Sequence, residues 1–88
     1  MAGRMKYRSR TDIVSQMLEA ANGGATKTKI MYSAYLSYSQ LKEYLVVLME
    51  GGLVEHQPAE QKYRTTDKGI KFLDTYSQIG QMITATEK

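Results

Sequence analysis

Two helical patterns with almost nothing between them constrain this chain most. The second is LSYSQLKEYLVVLMEGG, Leu36 to Gly52. Ser37 and Gln40 are spaced as a capping box, in which the serine oxygen accepts an orphan backbone N–H and the glutamine reaches back to the cap. Leu36 before the cap and Leu41 at the fourth helical position can close a hydrophobic staple. One of Gly51 and Gly52 supplies the left-handed stop. At about 100° per residue Leu41, Leu45 and Leu48 share a face, flanked by Tyr44 and Met49, while Ser39, Glu43, Val46 and Glu50 point the other way. Upstream, residues 25–35 read as a shorter helix capped by Thr26, with Ile30, Met31 and Ala34 on its inward edge. Only Tyr35 and Leu36 lie between its last inward residue, Ala34, and the Ser37 cap.

That connection has helix-turn-helix spacing, in which the first helix crosses a nucleic-acid backbone and delivers the second to a groove. The outer turns of the second helix offer hydroxyls, an amide, a cation and a carboxylate. Such a surface either reads base edges in a major groove or is simply a solvated face. If it reads, Ser39, Gln40, Lys42 and Glu43 meet bases, and Ser37 and Tyr38 lie near the backbone. Glu43 either accepts from cytosine N4 or repels the wrong register. Lys27 and Lys29 occupy the first turn of the shorter helix, where the dipole disfavours cations unless an anion arrives. They are phosphate contacts or ordinary surface lysines. Tyr32, Tyr35, Tyr38 and Tyr44 cluster on the same unit, as rings half in a core with hydroxyls at its rim.

Charge is unevenly spread. Residues 1–10 hold Arg4, Lys6, Arg8 and Arg10 and no acid, whereas residues 11–88 hold eight Lys or Arg against nine Asp or Glu. The net charge of +3 is therefore a flexible basic arm, residues 1–10, on a nearly neutral body. An arm of this kind follows a polyanion or enters a minor groove, or else is a solvated leader. A first helix over residues 9–22, with Ile13, Met17, Ala20 and Ala21 inward, is capped by Ser9 with Asp12 or by Thr11. Asn22, Gly23 and Gly24 stop it.

Beyond Gly52, LVEHQ and KYRTT are strand-prone and separated by PAE, which makes a hairpin over residues 53–65. Leu53 and Tyr63 face the core, His56 is an ordinary polar residue of the stem, and Lys62 and Arg64 alternate outward toward phosphate. Thr66 caps the last helix and Asp67 complements its dipole. Ile70 and Leu73 face the body. Phe72, Tyr76, Ile79, Gly80 and Ile83 extend an apolar line along residues 76–88 that a second copy of the chain can cover, giving a homodimer. The alternative is a frayed tail lying on its own domain.

Eighty-eight residues make one domain, residues 11–75 with the two extensions, burying roughly 60 to 65% of its unfolded surface. With no cysteine and one histidine, the sequence offers no disulfide and no metal set of thiolates or imidazoles. No cofactor, no small-molecule ligand and no metal is implied. The chain carries no catalytic histidine–carboxylate pair, no phosphate-cradling glycine loop and no metal-ligand spacing, so it does not read as an enzyme. No apolar run reaches the ~20 residues of a membrane span, and a cytoplasmic protein is expected.

KTKIMYSAYLSYSQLKEYL, the GL that leads into the hairpin, and YRTTDKG together resemble the archaeal winged helix-turn-helix family that includes the small ten-kilodalton chromatin-type proteins of thermophilic crenarchaea. The likeness runs from about Asp12 to Leu73. It implies a mainly α fold with a small β-hairpin (α+β), ordered helix, helix, helix, strand, strand, helix. It also implies double-stranded DNA binding as a transcriptional regulator or nucleoid-associated protein, with the helix at 37–51 in the major groove and the wing at 53–65 on flanking phosphates. Chromatin-type relatives dimerise through the last helix, which is much shorter here. The competing reading is a protein–protein interaction module in a transcription or replication assembly, which the body charge favours.

Overall fold

The computed structural model describes residues 8–87, with side chains described as far as residue 82. In chain order the elements are α1 (Arg10–Ala21), α2 (Lys27–Ser33), α3 (Tyr38–Glu50), β1 (Val54–Gln57), β2 (Lys62–Thr65) and α4 (Asp67–Glu87). This is the mainly helical, hairpin-bearing order expected from the sequence.

Each helix begins on a residue that can accept its orphan N–H groups. Ser9 and Asp12 form a reciprocal box at α1, with both bonds at 3.0 Å. Thr26 Oγ1 accepts from Lys29 N at α2. Ser37 and Gln40 form the box at α3, the serine oxygen accepting at 3.2 Å and Gln40 Oε1 accepting from Ser37 N at 3.0 Å. Thr66 Oγ1 accepts from Gly69 N and itself donates to Gly52 O, so it joins the start of α4 to the end of α3.

The core lies where α1 packs against α2, α4 and β2, and α3 against α2 and β1. Met17, Leu18, Ile30, Leu41 and Leu48 are fully buried there. Each such side chain contributes roughly 1.5–3 kcal/mol on removal from water. The hairpin adds Val54 opposite Thr65, and Thr65 Oγ1 donates to Leu18 O of α1 at 2.7 Å. Leu53 and Tyr63 are half-buried against the same core.

Three features depart from the sequence reading. Ala25 is not helical, because its backbone pairs with Tyr63 in both directions at 2.9 and 2.8 Å, tying the α1–α2 loop to the wing as a third short strand position. The basic arm does not reach residue 10: Ser9 caps α1, Arg10 is its first residue, and Arg8 is bonded to the body. Phe72 and Tyr76 are half-buried and serve the chain's own domain rather than a free apolar line. Phe72 packs on the core and stacks with Tyr76, ring centroids 6.4 Å apart, while Tyr76 Oη donates to Asp12 Oδ1 of α1. From residue 77 to residue 82 every position of α4 is exposed.

Candidate nucleic-acid interface

The first turns of α3 stand clear of the body. Ser37, Tyr38, Ser39, Gln40, Lys42 and Glu43 are all exposed, while Leu41, Leu45 and Leu48 on the other side of the helix hold it down. The staple partner Leu36 is buried as well, so the helix is fixed at its start and cannot roll without exposing leucine. At its end Gly52 adopts φ +75° while Leu53 N reaches back to Leu48 O, the left-handed closure that glycine favours.

The helix pair brings cations to an aromatic ring. Lys42 Nζ lies 5.2 Å and Lys27 Nζ 6.0 Å from the centroid of Tyr38, one from α3 and the other from α2. Ammonium groups over a ring face at such distances are weakly held, by about 0.5–1 kcal/mol at an exposed site, and both remain open to an anion. Lys29 is exposed in the same first turn of α2. Gln40 has less freedom than its sequence position suggests. Its Oε1 accepts from Ser37 N, which ties that oxygen back to the cap with one of its two lone pairs and leaves the amide NH2 as a donor. Sequence reasoning missed Arg10 as a neighbour of α3: its guanidinium sits 5.9 Å from the Tyr44 centroid and borders a shallow hollow with Gln40, Glu43 and Val47.

The wing turns its Tyr63 face to α3. His56 and Tyr63 stack at 4.6 Å, and Tyr63 lines a shallow cleft with Lys27, Lys42, Leu45, Val46 and Met49. Lys62 and Arg64 alternate onto the other face of the hairpin. Arg64 pairs in register with Glu55 and borders a groove with Asp67 and Lys68. The structure therefore brings Lys27, Tyr38 and Lys42 together, leaves Lys29, Ser39 and Glu43 exposed on the same helix pair, and sets Arg64 on the other face of the wing.

Arg8 is turned inward. Its Nη1 donates to Gln16 Oε1 and to Ala34 O, and its Nη2 donates to Tyr35 O at 3.0 Å, so it satisfies the carbonyls that follow α2. Arg4 and Lys6 lie outside the described residues, as does the side chain of Ile83. Ile79, Gly80 and Met82 are exposed on α4. The side-chain bond between Asp12 and Tyr76 has electrostatic consequences at both ends. The phenol, then the Ser9 backbone N–H, hold the Asp12 carboxyl below its ordinary value, and the carboxylate pushes the Tyr76 hydroxyl up. Among the described residues no three His, Cys, Asp or Glu side chains are grouped to hold a metal, and no helix is long and apolar enough to cross a membrane.

Comparison with known proteins agrees with this architecture. The fold is similar to that of Sso10a-2, a DNA-binding protein from Sulfolobus solfataricus, with a TM-score of 0.71 and 18% identity over 91% of this chain and 90% of that one. No curated protein matches the sequence. A sequence model described as winged helix-turn-helix matches residues 7–84, nearly the whole chain. With its helix pair, hairpin wing and seated last helix, the chain belongs to the winged helix-turn-helix family.

Proposed function

We propose that this protein binds double-stranded DNA as an archaeal transcriptional regulator or nucleoid-associated protein of the cytoplasm. The reading rests on one observation above others: the first two turns of α3 are exposed along with their polar side chains, and two lysines from different helices converge on them. Ser39, Lys42 and Glu43 meet base edges in the major groove, and Gln40 donates through its free amide. Val46 and Val47, half-exposed further along, suit the methyl groups of thymine. Lys27, Lys29, Arg10, Ser37 and Tyr38 face phosphates, with Arg4 and Lys6 following the backbone beyond. The resemblance of the fold to a DNA-binding protein supports this reading. Lys62 and Arg64, on the far face of the wing, contact only a duplex that bends around it.

Two copies pair through the end of α4, at Ile79, Gly80 and Ile83, further along the helix than the bond between Tyr76 and Asp12, which places two α3 helices on one duplex. Titrating a mixed-sequence duplex at two ionic strengths tests the proposal. Removing one phosphate-neutralising cation flattens the slope of log K against log salt by about 0.9. Lys27→Ala and Lys29→Ala should each do so, and slopes that do not move would remove α2 from the interface. Exposed Val46, Val47 and Met49 favour a second reading, a protein partner seated on α3. That reading predicts no salt-dependent duplex binding at all.

A further inference from the structure

The turn between α2 and α3 carries three tyrosines at three-residue intervals, each turned outward: Tyr32 is 70%, Tyr35 79% and Tyr38 55% exposed. Rings of that size are normally half-packed, and this sequence pattern predicts as much. Instead, Tyr32 and Tyr35 make no side-chain hydrogen bond and no ring contact among the described residues. Tyr35 also occupies a position that disfavours it. Its φ is +55°, and the backbone around it closes α2 in the same left-handed way that Gly52 closes α3: Leu36 N bonds Met31 O and Tyr35 N bonds Tyr32 O. One closure uses glycine, the ordinary choice, and the other uses a bulky aromatic residue held in a conformation that L side chains rarely adopt. Arg8 braces that turn by bonding the carbonyls of Ala34 and Tyr35. Strain maintained by a clamp, at a ring that is 79% exposed, marks a side chain kept for an external contact.

The surroundings identify the contact. Residues 20–42 contain Lys27, Lys29 and Lys42 and no Asp or Glu, so the tyrosines stand in an acid-free stretch of positive charge. Exposed aromatic faces among lysines are what unpaired bases stack on, the rings taking the bases and the ammonium groups the phosphates. In a duplex those base faces are covered by their neighbours. We propose that the α2–α3 turn is a stacking platform for unpaired DNA, with Tyr35 and Tyr32 receiving bases and Lys27 and Lys29 the adjoining backbone. This goes beyond duplex binding by α3: Lys27 and Lys29 serve both contacts, and Tyr32 and Tyr35 are the residues that the duplex reading leaves idle.

The test uses a thymidylate oligonucleotide of about fifteen residues, which forms no duplex, and a mixed-sequence duplex in parallel. With seven tyrosines and no tryptophan, the chain reports stacking through its own tyrosine fluorescence. Wild type should bind the oligonucleotide with quenching. Tyr35→Phe should bind within about twofold of wild type, because the ring face is retained. Tyr32→Ala and Tyr35→Gly should each weaken the single-strand complex by about 5- to 150-fold and leave the duplex complex within about threefold. Tyr35→Gly should meanwhile melt no lower than wild type, since glycine suits the turn. Single-strand binding without quenching would overturn the proposal. So would equal losses for Tyr35→Phe and Tyr35→Gly, which would assign the contact to the hydroxyl, or equal losses on both DNA forms. Absence of duplex binding with single-strand binding intact would instead remove the duplex reading alone.

Discussion

Replacing Gly69 by alanine sets two effects of opposite sign against each other. Gly69 lies in the first turn of α4, where alanine should be favoured by about 1 kcal/mol on helix propensity alone. The structure reverses that expectation. A Cβ at this position would lie 2.4 Å from the Leu53 carbonyl oxygen and 2.5 Å from Thr65 Cγ2. Neither neighbour can yield cheaply. Leu53 O accepts from Thr66 N at 2.9 Å, and Thr65 is buried with its hydroxyl bonded to Leu18 O. Backing α4 away therefore breaks the Thr66 bonds to Leu53 and Gly52 as well. Overpacking costs about 1–3 kcal/mol. Breaking one or two hydrogen bonds costs about 1 kcal/mol each. Less the propensity gain, Gly69→Ala should destabilise by about 1–4 kcal/mol. For a domain of this size that is a fall in Tm of about 5–30 °C. Thermal melting followed by circular dichroism at the helix band measures it. Gly80→Ala is the matched control, since a Cβ there meets nothing within 4 Å and the same exchange should gain up to about 1 kcal/mol in the isolated chain. A Gly69→Ala protein as stable as wild type would mean that α4 is not seated on the wing base, and the placement of both would have to be redrawn.

Other predictions address the remaining joints. Arg8→Ala removes three hydrogen bonds, two to the α2–α3 turn and one to Gln16 of α1, and should cost about 1–2 kcal/mol in urea unfolding; an unchanged midpoint would return Arg8 to the arm. Tyr76→Phe should lower stability by a constant amount between about pH 4 and pH 10, with the difference from wild type shrinking at both ends. Asp12 has a lowered folded pKa, so its contribution is present above its unfolded value and lost as pH falls through the folded one. Tyr76 is raised, so its contribution is present below its unfolded value and lost as pH rises through the folded one. A difference that stayed the same well below pH 4 and well above pH 10 would deny the bond. Ile79→Glu should leave the melting profile at low protein concentration intact and convert a dimer to monomer in sedimentation; a wild type that sediments as a monomer at high concentration would end the pairing proposal.

What the sequence made legible was local. The boxes at Ser9 and Ser37, the caps at Thr26 and Thr66, and the glycine closure of α3 each depend on residues within one turn of each other, and all are present. The leucine face of α3 was equally readable, because helical periodicity and burial coincide there. Pairings between distant segments left no such trace. Nothing near Ala25 announces its pairing with Tyr63, 38 positions away. Arg8 looked like one more cation of an arm, since its partners Ala34 and Tyr35 meet it only after α2 folds onto α1. Phe72 and Tyr76 fit an outward apolar line by periodicity, yet Phe72 packs on the core and Tyr76 bonds Asp12 of α1. Lys62 and Arg64 were rightly assigned to one side of the strand, but which side looks toward α3 depends on how the hairpin is docked. Tyr35 is a different case: its left-handed backbone could not be foreseen because the residue type argues against it.

Groove binding by α3 is best tested by following the backbone amides of the labelled protein by NMR as a duplex is added. Changes concentrated at residues 37–43 and 26–29, with the buried face of α3 and the end of α4 still, would match a helix received by a groove. Changes confined to residues 46–50 or to the end of α4, with residues 37–43 unmoved at saturating duplex, would contradict it.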